Sequence, residues 1–180
     1  MLSKFFNAPL VRVCARYGAI AGALCMLFLI SLFYMGKHPF LVNPFLDFRV
    51  PLFGVLIFFA LKEVRDYYQE GILFFWQGTA GSLVFVAVCS IIAALGIVIF
   101  GTMQPLFLAD YVTEFTRQIQ NLPSDTVDKI GKDVIALNLE KLPTTTIGDL
   151  AGLYVWQSFI MSFFISVIIS VILRRQPATN

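Results

Sequence analysis

Residues 81–101 form an unbroken stretch without a single Asp, Glu, Lys, Arg or His, and this stretch constrains the fold more than any other feature. At about 1.5 Å per helical residue it is long enough to cross the ~30 Å hydrocarbon core of a bilayer. Two further segments, 17–36 and 152–173, read the same way, and a fourth, 47–66, has an apolar centre over 50–61. A soluble reading fails on composition. Only 13% of the 180 residues are charged and 58% are hydrophobic, against roughly 25% charged in an ordinary soluble domain. Lipid leaves only helices or closed barrels as spanning structures, and no period-2 alternation is present. The expectation is an all-α integral membrane protein, a single domain over 1–180. It has four transmembrane helices in a bundle and one or two amphipathic helices in the long loop 102–150.

The segment 17–36 follows Lys4, Arg12 and Arg16. It is too long for a secretory signal core, lacks an A-x-A-like site, and has Leu24 rather than a small residue before Cys25. An uncleaved anchor helix is expected, preceded by a short amphipathic stretch around Phe5, Phe6, Leu10 and Val13. Positive charges close to span ends, Lys4, Arg12, Arg16, Lys62, Arg65, Arg174 and Arg175, place both termini in the cytoplasm. The second span is short. Asp47 is positioned to cap its start and Pro51 sits in its first turn, but the apolar centre ends at Lys62, so polar groups are drawn toward the bilayer.

Within the loop, Leu108, Val112, Phe115 and Ile119 recur at helical spacing opposite Asp110, Glu114 and Arg117. Ser124 is expected to cap a second helix whose face holds Val127, Ile130, Val134 and Leu137. Asp128 with Lys132, and Lys129 with Asp133, would form (i, i+4) pairs. Pro123 and Pro143 bracket it. Phe74, Phe75, Trp76, Tyr154 and Trp156 read as interface belts.

Two small-residue patterns bear on packing. Ser158, Ser162, Ser166 and Ser170 recur every four residues on one stripe, and Gly18 and Gly22 form a GxxxG flanked by alanines. The stripe reads as a helix-packing surface against the GxxxG, each hydroxyl bonding its own i−4 carbonyl. A polar permeation path and a partner interface remain the alternatives. The interiors of spans one, three and four hold no charged residue, which argues against an ion-coupled transporter. Metal and disulfide chemistry find few ligands: Cys14, Cys25 and Cys89 are widely spaced and His38 is the only histidine. No metal or other cofactor is expected. A net charge of +2 excludes an electrostatic footprint for nucleic acid.

The remaining concentration of polar chemistry is Lys62, Glu63, Arg65 and Asp66, followed by Tyr67 and Tyr68. Lys62 and Asp66 are (i, i+4) neighbours on a helix, and Glu63, about 100° away, is placed to face the bundle. The plain reading is a solvated helix end meeting lipid headgroups; the sharper one is a docking site.

The run 60–71, ALKEVRDYYQEG, followed by LFFWQG over 73–78 and a long apolar helix, resembles the bacterial four-span membrane family catalogued as domain of unknown function 4199. The resemblance implies an inner (cytoplasmic) membrane location in a two-membrane envelope. Members of that family are often encoded near envelope-building enzymes such as polyprenyl-phosphate glycosyltransferases, so the resemblance implies, by association, a partner role. With no catalytic constellation in view, the chain is expected to be a non-enzymatic accessory or scaffold subunit. It would dock a membrane-protein partner, or a second copy of itself, through residues 62–66, in contact with membrane lipids. A small channel or lipid-handling transporter built on the serine stripe is the alternative.

Overall fold

The computed structural model describes residues 8–42 and 47–175, apart from the side chains of Ala8 and Ser124. Helix α1 (Ala8–Tyr34) is followed by a 3-10 turn (Pro39–Leu41). Helix α2 (Arg49–Glu63) continues directly into a π-helical turn (Val64–Tyr68). Then come α3 (Phe75–Met103), α4 (Leu106–Gln120), α5 (Ser124–Ile130), α6 (Lys132–Lys141), a second 3-10 turn (Leu142–Thr144) and α7 (Ile147–Leu173). Among the described residues no sheet forms. A lone antiparallel bridge ties Leu73 to Arg175 through N–H···O bonds of 3.1 and 3.0 Å.

Among the described residues three helices are long and apolar enough to cross a membrane: Pro9–Tyr34, Phe75–Met103 and Ile147–Leu173. α2 is apolar but has only 15 residues, about 22 Å of α-helix. α1 packs on α3, α3 on α7, α7 on α2 and α2 on α1, while α2 and α3 touch sparsely across the diagonal. Each helix buries only one side. Leu27, Phe28, Ile91, Leu95, Phe163, Phe164, Ile168 and Ile172 point outward, 48–65% exposed. So large an apolar shell has no place in water and suits hydrocarbon.

The inward faces meet through small residues. A Cβ on Gly18 would lie 2.5 Å from the Phe85 carbonyl oxygen, and one on Gly22 would lie 2.9 Å from that of Cys89. The GxxxG therefore packs on α3, not on the serine stripe of α7 as expected. The stripe finds its small partner in α3 as well: a Cβ on Gly78 would lie 2.6 Å from Ser170 Oγ. One helix, α3, thus receives both neighbours at van der Waals distance.

Several expected segments fold differently. Leu10 and Val13 are core residues at 0% and 2% exposure, because α1 already begins at Ala8; Phe5 and Phe6 lie outside the described residues. α4 forms as expected, but its buried residues are Phe107 and Tyr111, with Leu108, Val112 and Phe115 packed beside them. The Phe107 ring sits 5.5 Å from Phe33 and 5.4 Å from Phe100, so aromatic contacts seat α4 on the bundle. The second loop helix is broken in two at Gly131, whose φ of +93° is closed to most side chains. Among the described residues the pairs 128/132 and 129/133 do not form, and Ile130, Val134 and Leu137 stay 45–51% exposed. Pro123, not Ser124, holds the N-cap position.

Candidate functional site

The start of α1 and the ends of α2 and α7 share one end of the bundle, and residues 62–66 lie there. Glu63 does face the bundle. Arg16 Nη2 donates to both of its carboxylate oxygens at 2.7 Å, and the Tyr17 hydroxyl donates to Oε2 at 3.0 Å. The last α-turn of α2 is thereby tied to α1. The expected pair of Lys62 with Asp66 does not form; Arg65 Nε donates to Asp66 Oδ1 at 2.7 Å instead. The cause is local: the helix widens into a π-turn at Val64, which shifts the i, i+4 alignment.

The widened turn presents Tyr67, 82% exposed, and Tyr68, 51% exposed. With Tyr17, Phe59, Lys62, Glu63 and Asp66 they line an open cleft of about 670 Å³. Beyond it, Glu70 (φ +50°) and Gly71 (φ +81°) reverse the chain. The Gly71 N–H then bonds the Arg65 carbonyl at 2.9 Å, and the Leu73–Arg175 bridge fixes the exit of α7 beside the start of α3. Both acids of the cleft accept hydrogen bonds from guanidinium groups, Glu63 from Arg16 and Asp66 from Arg65. Chemically this is a surface of mixed charge with aromatic flanks.

The serine stripe is closed. Ser158, Ser162, Ser166 and Ser170 are 0–2% exposed. Their hydroxyls do not follow one pattern: Ser166 donates to the Phe163 carbonyl, three residues back, at 2.9 Å, and Ser158 accepts from Arg49 Nη1 at 3.4 Å. Ser170 Oγ has no hydrogen-bond partner among the described residues.

The sequence reading missed one cluster at the opposite end, where α4 sits. Arg49, at the start of α2, is 7% exposed. Its guanidinium is clasped by both oxygens of Asp47. Nη2 also donates to Gln157 Oε1 at 3.0 Å, and the group lies 4.6 Å above the Tyr154 ring. Asp47 Oδ1 accepts the Arg49 backbone N–H at 2.9 Å as well, but Phe48 holds the N-cap position of α2 and no side chain caps it, so the cap expected of Asp47 is replaced by its clasp on Arg49. Tyr154 is consequently interior, 4% exposed, and not part of an interface belt; Trp76 and Trp156 do face outward. The signal was the D-x-R spacing beside a short apolar run, which only a partner on α7 could turn into a buried cluster.

Cys14, Cys25 and Cys89 are buried free thiols. Among the described residues no three His, Cys, Asp or Glu side chains converge as a metal site would require. The family described as "Protein of unknown function (DUF4199)" matches residues 16–175. No curated protein and no solved structure matches significantly.

Proposed function

The chain belongs to the DUF4199 family, and on that footing we propose that it is a non-enzymatic scaffold of the bacterial inner membrane. It crosses the bilayer four times and docks a membrane-protein partner of envelope biogenesis at its cytoplasmic end. α2 and its π-turn together span about 28 Å, and the Asp47 clasp compensates the charge of Arg49 at the membrane edge. The end holding Arg12, Arg16, Lys62, Arg65 and Arg175 faces the cytoplasm by the positive-inside rule.

The carrying observation is the exposed pair Tyr67 and Tyr68 beside Lys62 in the 670 Å³ cleft. Tyrosine is enriched at interface hot spots, and here it is held on a turn braced by Glu63, Arg16 and Tyr17. The buried serine stripe supports tight helix packing over a hydrated path.

The test is affinity purification of the full chain from native membranes in mild detergent, with Lys62→Glu and Tyr67→Ala combined. Neither residue braces the bundle, so the fold is expected to survive. Loss of one stoichiometric membrane partner from the variant supports the reading. A partner set identical to wild type, or a wild-type protein that purifies alone, overturns it.

A further inference from the structure

At the end of the bundle where α4 sits, two cavities flank one short segment, residues 36–42. The first, about 540 Å³, opens between this segment and the polar face of α4. Lys37, His38, Asp110, Thr113, Glu114 and Arg117 are among its lining residues, and its size is within the range of small-molecule sites. The second, about 160 Å³, lies on the other side of the segment. Phe28, Leu29, Leu32, Phe40, Phe48 and Tyr154 make most of its lining, the mutually paired Asp47 and Arg49 also line it, and Val42 contributes to both cavities.

The charges of the larger cleft are unevenly satisfied. Arg117 Nη2 donates to Glu114 at 2.7 Å, so that pair is internally neutral. Lys37 and Asp110 form no ion pair among the described residues. His38 donates from Nε2 to the Phe107 carbonyl at 3.1 Å, which ties the segment to α4, and its Nδ1 is buried with no partner among the described residues. One ammonium and one carboxylate left over in a cleft are complementary to a ligand carrying both signs. A mostly apolar cavity on the other side of the segment, whose two charges neutralise each other, is complementary to hydrocarbon.

We propose that this end of the bundle holds one zwitterionic phospholipid of the phosphoethanolamine class. Its ammonium meets Asp110, its phosphate meets Lys37, and part of an acyl chain enters the apolar cavity. An ammonium that donates hydrogen bonds suits the Asp110 carboxylate better than a quaternary one. Phosphatidylglycerol, with a phosphate and no cation, leaves Asp110 unanswered.

The full-length protein in mixed micelles is offered equimolar phosphatidylethanolamine, phosphatidylcholine and phosphatidylglycerol, and retained lipid is read by native mass spectrometry. Wild type is expected to keep phosphatidylethanolamine about tenfold over phosphatidylglycerol. Asp110→Asn is expected to bring the two to parity, and Lys37→Gln to lose phospholipid adducts altogether. Both side chains are exposed, so neither change threatens the fold. Leu32→Trp, which fills the apolar cavity, is expected to reduce lipid retention while leaving weak binding of free glycerophosphoethanolamine. Equal retention of all three lipids, or an unchanged preference in Asp110→Asn, overturns the proposal. Free glycerophosphoethanolamine bound as tightly as the lipid, with Leu32→Trp silent, overturns the membrane source and assigns the cleft to a soluble zwitterion.

Discussion

Gly18 has no room for even one methyl group, because the obstacle is the Phe85 backbone carbonyl at 2.5 Å and not a movable side chain. Gly18→Ala must push α1 away from α3, and a loss of about 1–3 kcal/mol is expected. Gly54 makes the control: nothing lies within 4 Å of its Cβ direction, so Gly54→Ala should stabilise α2 by about 0.5–1 kcal/mol through helix propensity. Unfolding in graded sodium dodecyl sulfate reads both. His38 carries a pH dependence. Burial is the largest influence and holds its imidazole below the ordinary 6.5, outweighing the Phe107 carbonyl bond and the nearby charges of Asp110 and Glu114. The unfolded chain therefore takes up the proton first. This contribution to stability is complete above about pH 6.5 and is lost as pH falls through the lowered native value. Thermal unfolding in detergent should show an acid-side decline that His38→Gln reduces.

At the scale of elements, α2 depends on its first turn. Arg49 is buried against Asp47, Gln157, Ser158 and Tyr154, so removing the cation alone strands a carboxylate. Arg49→Leu is expected to cost about 3–5 kcal/mol, and adding Asp47→Leu to recover much of it, since an apolar replacement of both partners is commonly near neutral. A double-mutant cycle by the same unfolding assay checks this. α4 is seated differently, by rings: Phe107 against Phe33 and Phe100, and Tyr111 against His38 at 5.2 Å and Phe40 at 6.4 Å. α5 and α6, parted at Gly131, leave their apolar residues half exposed.

For the whole molecule, the chain order around the bundle puts the end of α7 beside the start of α3 and the end of α2 beside α1. The proposed topology places Tyr67 and Asp125 on opposite sides of the membrane. Tyr67→Cys and Asp125→Cys should then react with an impermeant maleimide from opposite faces of sealed vesicles; labelling of both from one face would refute four crossings. The native thiols are buried and contribute little background.

The sequence alone determined the helical class and the three long apolar helices, because lipid forbids an unsatisfied backbone and a sustained apolar run admits one solution. It also located the polar end of α2 and the amphipathic character of α4, which periodicity encodes locally. Tertiary structure decided which surfaces pair. Both GxxxG and serine stripe signal close approach without naming a partner, and here α3 serves both. The π-turn replaced the expected Lys62–Asp66 pair with Arg65–Asp66, since a single widened turn shifts every later side chain. The Arg49 cluster was hidden for a related reason: a charge at a helix start reads as exposed until distant residues, Gln157 and Ser158, close over it.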